Sequence, residues 1–250
     1  MPTIHLVIPF LDEMSTLTTL VKRVLAVDWP AEWTASIILV DDGSGLAARD
    51  EARRIAKSNQ SVQLLCHDRN LGKGAALRTG FAVAIDHAGA DDVIGIQDAD
   101  LEYDPQDLVR FVEVFKDLGS DVDAVFGNRW SEGPNSAIGW IHRFGNRMLT
   151  ELSNVTTGLG LNDMECCFKV FRRDVLREMI PELSESRFAI EPQLAAALAR
   201  RGANVAEVDV DYEPRSFADG KKIGLRDLAS AVTTIIREWM RTRRYRRGLT

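Results

Sequence analysis

Two carboxylates separated by one residue, Asp98 and Asp100, follow a short apolar run near the middle of the chain, and Glu102 stands two residues further on. Carboxylate oxygens are the ligands that hard divalent cations prefer, and Mg²⁺ usually completes its shell with water and substrate phosphates. The spacing therefore predicts a Mg²⁺ or Mn²⁺ ion that binds a diphosphate. A solvated acidic turn before a helix at Pro105 is the alternative, because short motifs often match by chance.

These carboxylates need a scaffold that holds them at the edge of a pocket. Short apolar runs alternate with segments of helical periodicity, which is typical of βαβ units and of a parallel sheet covered on both faces. We predict strands at 3–10, 36–42, 62–68, 93–98, 124–130 and 205–212. We predict helices at 16–27, 46–59, 75–87, 105–118, 138–155 and 190–201. The predicted fold class is α/β, with a Rossmann-like, mostly parallel sheet flanked by helices.

Acidic side chains gather where these strands should end. Glu13 follows the first strand, Asp42 ends the second and Asp98 ends the fourth. In open α/β sheets the ligand crevice lies outside the carboxyl ends of the strands, so one pocket can receive all three groups.

Lys73 stands between two glycines before a predicted helix, as in a phosphate-binding loop. The Walker pattern requires Ser or Thr directly after the lysine, whereas this chain has Gly74, so the pattern excludes a Walker-type ATPase. The N-terminus of a helix still attracts anions, which makes Lys73 a candidate donor contact. A simple strand-to-helix turn is the alternative.

The composition is that of an ordinary globular protein, with 250 residues, 45% hydrophobic and 27% charged. It excludes collagen-like and disordered chains. The net charge is −6, but residues 221–250 carry +7, which leaves −13 on the rest. An acidic body argues against a nucleic-acid partner, and a basic tail is suited to an anionic surface.

The ordered set of motifs resembles the family 2 glycosyltransferases of the GT-A fold, in the branch that includes dolichol-phosphate mannose synthases and related polyprenyl-phosphate glycosyltransferases. The resemblance extends over most of the chain. It rests on VIPFLDE at 7–13, VDDGS at 40–44, NLGKGAAL at 70–77, DAD at 98–100, GNR at 127–129, DMECCFK at 163–169, FAIE at 188–191, YEPR at 212–215 and GKK at 220–222.

The resemblance implies a role for each matching residue. The nucleotide-sugar site it implies comprises Pro9, Leu11, Glu13, Val40, Asp42, Lys73, Asp98 and Ala99. The implied metal ligands are Asp98, Asp100 and Glu102, although many relatives have Gln at the last position. Arg129 matches an arginine that binds the acceptor phosphate, and Arg143 is a second candidate cation.

The resemblance implies an inverting hexosyltransferase that uses a UDP- or GDP-sugar and a polyprenyl phosphate such as dolichyl or undecaprenyl phosphate. A phosphate monoester is largely dianionic at neutral pH and attacks without a general base, so the site must supply positive charge. If the acceptor were a saccharide or protein hydroxyl, a carboxylate should take its proton, and Asp163 matches the base of hydroxyl-acceptor relatives. Pairing of Asp163 with a nearby cation is the structural alternative.

The end of the chain predicts an amphipathic helix, with apolar residues spaced three and four apart from Leu225 to Met240 and arginines between them. Such a helix can lie at a membrane surface, or it can cover the sheet as an ordinary docking helix. We therefore expect a catalytic domain at 1–220 and a basic helix and tail at 221–250. With no apolar run of about 20 residues and no signal-peptide pattern, we expect a peripheral protein at the cytoplasmic membrane face.

Two further functions stay open from the sequence. A sugar-phosphate nucleotidyltransferase would share the sheet and the metal, but the chain lacks a Gly-rich loop with basic residues after its first strand. A nucleotide-sugar-binding module without turnover would not need Asp98, Asp100 and Arg129 together.

Overall fold

The computed structural model describes residues 1–130, 140–214 and 225–246, and the side chains of 1–130, 143–214 and 228–244. Within these ranges seven strands form one sheet: β1 (Thr3–Phe10), β2 (Thr34–Asp41), β3 (Val62–Cys66), β4 (Val93–Ile96), β5 (Ala124–Asn128), β6 (Lys169–Arg172) and β7 (Val205–Asp209). Their order across the sheet is β3-β2-β1-β4-β6-β5-β7. β6 runs antiparallel to both of its neighbours, and the other pairs are parallel. The predicted mostly parallel α/β sheet is confirmed.

The described segments also contain eight α-helices: α1 (Met14–Leu25), α2 (Leu46–Ser58), α3 (Lys73–His87), α4 (Leu108–Leu118), α5 (Trp140–Thr157), α6 (Arg173–Met179), α7 (Ile190–Arg201) and α8 (Leu225–Arg246). One hydrophobic cluster lies between one face of the sheet and α1, α2 and α4. A second lies between the other face and α3, α5, α6, α7 and α8. The sheet is thus covered on both sides, which is why its strands are continuous apolar runs.

The first five predicted strands are present, with ends that differ by at most two residues from the prediction. β6 was not predicted, because a four-residue strand directly followed by a helix has no periodicity of its own. Its insertion between β4 and β5 places residues 163–169 beside the end of β4.

The sheet has one switch point that matters for ligand binding. β2 and β3 lie on one side of β1, whereas β4 lies on its other side. Such a reversal opens a crevice at the carboxyl ends of the two central strands. The loops that follow β1 and β4 therefore border the expected site.

The last helix packs on the sheet's second layer. α8 lies against α5 and α7, and its Ala231 and Ile235 join the second hydrophobic cluster. Glu238 is 1% exposed and accepts hydrogen bonds from Gln193 Nε2 at 2.9 Å and Arg200 Nη1 at 2.8 Å. One side of α8 is therefore a docking face, and the expected boundary between residues 220 and 221 lies outside the described residues.

No helix in the described ranges is both long enough and apolar enough to span a lipid bilayer.

Candidate active site

Loops at the carboxyl ends of β1 and β2 are tied to each other. Asp12, which has a positive φ of 58°, donates its backbone N–H to Ser44 Oγ at 2.9 Å. Its carboxylate accepts the backbone N–H of Gly45 at 2.8 Å. These bonds fix the loop that carries Leu11 and Glu13 at the rim of the crevice.

Asp42 holds the segment that leads into α3. Its carboxylate oxygens accept the backbone N–H groups of Leu71 at 2.9 Å and Gly72 at 2.7 Å, and it lies 2.8 Å from His67 Nδ1. Gly72 has a φ of 98°, and a Cβ there would lie 2.3 Å from the Ser186 carbonyl oxygen. The start of α3 is thus clamped between the loops after β2 and α6, and both oxygens of Asp42 bond to the protein itself.

Lys73, the first residue of α3, points at the end of β4. Its ammonium nitrogen lies 2.9 and 3.0 Å from the two carboxylate oxygens of Asp98, 3.1 Å from Cys167 Sγ and 3.2 Å from Glu191 Oε1. Burial opposes the charge on Lys73, but the charges of Asp98 and Glu191 and the hydrogen bond to Asp98 together outweigh burial and keep the pKa of Lys73 well above its ordinary value. Burial by itself raises the pKa of Asp98, yet the charges of Lys73 and Lys169 together with the hydrogen bonds from Lys73 and Cys167 hold it below its ordinary value.

The ion pair continues into a longer series of buried charges. Glu191 Oε2 lies 2.6 Å from Lys169 Nζ, and the Lys169 side chain is fully buried beside the Phe126 ring. Asp98, Lys73, Glu191 and Lys169 therefore alternate in sign, and we call them the four-charge chain. It joins the end of β4 to the starts of α3, α7 and β6.

The predicted metal ligands lie on a turn that is braced from the far edge of the sheet. Leu101 has a positive φ of 63°, and the backbone N–H of Glu102 donates to Asp100 Oδ1 at 3.2 Å. The hydroxyl of Tyr212 donates to Glu102 Oε2 at 2.8 Å. The turn thus presents two carboxylates beyond Asp98.

These carboxylates fit a hard divalent cation by their donor chemistry. Among the described residues, no three His, Cys, Asp or Glu side chains converge as a metal cluster. Mg²⁺ is commonly bound by one or two carboxylates together with substrate phosphates, and Asp100 and Glu102 can bind it in that mode. Asp98 instead forms its ion pair with Lys73.

Arg129 and Asp163 form a two-pronged ion pair. Arg129 Nε and Nη2 donate to the two carboxylate oxygens of Asp163 at 2.6 and 2.7 Å, and the Asp163 side chain is fully buried. The Arg129 guanidinium also lies 5.1 Å from the ring centres of both Trp130 and Tyr212. The structure therefore brings two predicted catalytic residues together, with Asp163 orienting Arg129.

A cavity of about 390 Å³ opens beside this pair. Its lining includes Trp130, Arg143 and Arg147, and the Arg143 guanidinium lies 5.4 Å from the Trp130 ring centre. The guanidinium groups of Arg129 and Arg143 thus both lie near the indole ring of Trp130. Sequence reasoning missed Arg147, although its spacing of four residues from Arg143 on α5 places both on one helix face.

Glu165 is a second residue that sequence reasoning did not place in the site. Its Oε1 is buried and has no hydrogen-bond partner within the described part of the chain. Burial, followed by the charge of Glu191, raises the pKa of Glu165 to about 7, while Lys169 and Arg129 act in the opposite direction. The motif DMECCFK is the sequence signal that could have placed Glu165 in the site, because Glu165 shares it with Asp163 and Lys169.

Several other residues implied for the nucleotide site lie in packed surroundings. Val40 is fully buried in the second hydrophobic cluster, and Ala99 belongs to the first. Pro9 pairs with Val40 in the register of β1 and β2 and is buried. Glu13 accepts a hydrogen bond from Thr16 Oγ1 at 3.1 Å at the start of α1.

The fold and the motifs together agree with a family assignment. The sequence model of glycosyl transferase family 2 matches residues 5–180. The chain belongs to glycosyltransferase family 2. Curated relatives of this family 2 member include the undecaprenyl-phosphate 4-deoxy-4-formamido-L-arabinose transferases of Sodalis glossinidius, 31% identical over 220 residues, and Pseudomonas syringae, 28% identical over 238 residues. The alignments cover 87% and 92% of this chain but only 62% and 66% of those relatives.

Solved structures extend the likeness to the fold. Two structures of glucosyl-3-phosphoglycerate synthase from Mycobacterium tuberculosis superpose with TM-scores of 0.67 and 0.66 at 18% and 17% identity. Each covers 96% of this chain and 80% of that enzyme. The first holds UDP, and the second holds Mn²⁺, UDP-glucose and phosphoglyceric acid. This likeness confirms the expected GT-A architecture of the family 2 member.

The carboxyl of Glu165, whose Oε1 is buried, predicts a pH-dependent stability. Its pKa of about 7 in the folded state exceeds its ordinary value of 4.5, so the unfolded chain releases the proton first and Glu165 lowers stability as pH rises from about 4.5 to 7. Glu165→Gln removes this titration. Urea unfolding should show the variant gaining about 1–3 kcal/mol relative to the parent between pH 5 and 8.

Glu178→Gln makes the same chemical change at a carboxylate that is 70% exposed and serves as the control. Its unfolding free energy should follow that of the parent protein at every pH. Parallel curves for the parent and Glu165→Gln would contradict the buried, unpaired state of Glu165.

Proposed function

We propose that this protein transfers a hexose from a UDP- or GDP-sugar to a polyprenyl phosphate, with inversion at the anomeric carbon. The observation that carries the proposal is the position of Tyr212. Its hydroxyl donates to Glu102, a predicted metal ligand, and its ring lies 5.1 Å from the guanidinium of Arg129, a predicted acceptor contact. The acidic turn after β4 and the arginine-lined cavity are therefore neighbours.

The relatives support this choice of acceptor. Those named above are undecaprenyl-phosphate 4-deoxy-4-formamido-L-arabinose transferases, and the alignments run through most of this chain. Because the chain spans at most 66% of their length, the complete reaction is a proposal for this protein. The UDP and UDP-glucose in the structures of similar fold support a nucleotide-linked donor.

The donor binds at the end of β4 in this proposal. Asp100 and Glu102 would hold a Mg²⁺ or Mn²⁺ ion, with Asp98 beside them in its pair with Lys73. When bound, the cation supplies positive charge that stabilises the departing diphosphate. Leu11, Glu13 and Asp42 lie on the loops that border the nucleotide, as the family resemblance implies.

The acceptor phosphate binds on the arginine side. Two nitrogens of Arg129 face Asp163, and its third, Nη1, makes no hydrogen bond with the described residues, so it can donate to a phosphate oxygen. Arg143 and Arg147 line the adjoining cavity and add charge. These cations offset the repulsion between the acceptor dianion and the donor diphosphate.

The chemical step then needs no general base. An oxygen of the acceptor dianion attacks the anomeric carbon, the bond from that carbon to the diphosphate breaks, and both electrons leave with the nucleoside diphosphate. One displacement inverts the configuration. A hydroxyl acceptor would require Asp163 to take a proton, yet both of its oxygens are bonded to Arg129, so the structure favours the phosphate acceptor.

The proposal includes a membrane-facing surface built from α5 and α8. Phe144 and Met148 on α5 and Ile236, Trp239 and Met240 on α8 are exposed. The guanidinium of Arg243 lies 4.8 Å from the Trp239 ring centre. Apolar side chains flanked by arginines are suited to an anionic lipid surface. We therefore propose a catalytic domain at 1–220 and a segment at 221–250 that faces the cytoplasmic side of the membrane.

A transfer assay tests the proposed reaction. Nucleotide release from a panel of UDP- and GDP-sugars should require both a short polyprenyl phosphate and Mg²⁺ or Mn²⁺. Asp100→Asn should lower turnover about 100-fold or more, because stabilisation of the leaving group is lost.

Asp104→Asn is the matched control in the same loop. Asp104 accepts the backbone N–H of Gln106 at 3.0 Å, a capping role that Asn also fills. Full turnover by Asp100→Asn, or equal transfer to phosphate-free polyprenol, would contradict the proposal.

Sedimentation with phosphatidylglycerol vesicles tests the membrane-facing surface. The double variant Ile236→Ser, Met240→Ser should bind about 10-fold more weakly, because two exposed apolar side chains no longer enter the lipid. Leu46→Ser removes an apolar side chain that is 77% exposed on α2 in the other helix layer, and it should bind like the parent. Equal loss in both proteins would contradict the assignment of this surface.

A further inference from the structure

Glu165 is a partly buried acid with one buried carboxyl oxygen, and the proposed reaction does not use it. Its Oε1 lacks a hydrogen-bond partner among the described residues, whereas Asp163, two residues earlier, bonds Arg129 through both oxygens. A buried carboxyl oxygen without a partner costs free energy, and in native proteins such groups are rare. The described residues therefore leave one hydrogen-bond acceptor of Glu165 unused.

The chain around Glu165 places it between the two halves of the site. Asp163, two residues earlier, bonds Arg129, and Cys167, two residues later, lies with its Sγ 3.1 Å from Lys73 Nζ, the partner of Asp98. A transferred sugar must occupy this interval, since its anomeric carbon is bonded first to the donor diphosphate and then to the acceptor phosphate.

We propose that Glu165 binds a hydroxyl group of the transferred sugar and thereby helps to select the sugar. The inference rests on the proposed function, because it takes the end of β4 as the donor site. A sugar hydroxyl is a neutral donor that matches an unpaired carboxyl oxygen. It also suits a carboxyl whose two acidic neighbours, Asp163 and Glu191, are already paired with cations.

The raised pKa of Glu165, about 7, agrees with this assignment. Four charged groups face the carboxyl: Glu191 and Asp163 raise its pKa, and Lys169 and Arg129 lower it. None of them lies within hydrogen-bond distance of it in the described part of the chain. The Glu165 carboxyl is thus left without a hydrogen bond from these groups, and a bound sugar hydroxyl would supply one.

Such a contact also predicts selectivity. A site built to hydrogen-bond a substrate hydroxyl rejects an analogue that lacks it, because the buried partner is then left unpaired. Removing the carboxyl should weaken this discrimination, whereas the affinity for the nucleotide portion should stay unchanged.

Calorimetric titration separates the sugar from the nucleotide. In the presence of Mn²⁺, the parent protein, Glu165→Gln and Glu165→Ala are titrated with UDP and UDP-glucose and with GDP and GDP-mannose. For the pair that the parent protein binds, Glu165→Ala should weaken the affinity for the nucleotide sugar about 10- to 100-fold and the affinity for the nucleoside diphosphate less than about 2-fold. Glu165→Gln, which keeps one acceptor oxygen, should give a smaller loss.

Glu178→Gln is the control and should leave both affinities unchanged. Equal losses for the nucleotide sugar and the nucleoside diphosphate, or no loss for either, would overturn the role of Glu165 while leaving the proposed function intact. A fall in kcat without a change in nucleotide-sugar affinity would also overturn it. If the parent protein bound none of the four ligands, the proposed function itself would fail.

Discussion

The ion pair between Lys73 and Asp98 is the interaction on which the site depends. It joins the first residue of α3 to the end of β4 across the switch point of the sheet. Two buried charges are costly to desolvate, and their attraction repays this only if the geometry is good and further partners satisfy them. Glu191 and Lys169 are those partners, so the pair extends into the four-charge chain.

This arrangement explains why distant segments meet at one place. Asp42 holds the backbone before α3, and Gly72 allows that backbone to approach Ser186. The Lys73 side chain is thereby directed at Asp98. On the other side, Tyr212 braces Glu102 and stacks near Arg129. The carboxylates after β4 and the guanidinium of Arg129 are thereby fixed relative to each other.

The features that could be predicted from the sequence are those that depend on local residue patterns. Apolar runs predicted the first five strands, and the spacing of Asp98 and Asp100 directed attention to the end of β4. Contacts between distant segments could not be read this way: β6 has only four residues, and the approach of Lys73 to Glu191 depends on how α7 packs. Glu165 received no role from the sequence because its position between Asp163 and Lys169 does not show whether its carboxylate is paired, and the packed structure shows that its Oε1 has no partner among the described residues.

In the proposed function the donor diphosphate and its cation bind at the end of β4, beside the Lys73–Asp98 pair. Anomalous diffraction from crystals grown with Mn²⁺ and UDP or GDP tests it most directly. We expect a manganese peak next to the carboxylate of Asp100, with the nucleotide diphosphate adjacent to it. A peak and a nucleotide at another edge of the sheet, away from Asp98 and Asp100, would contradict it.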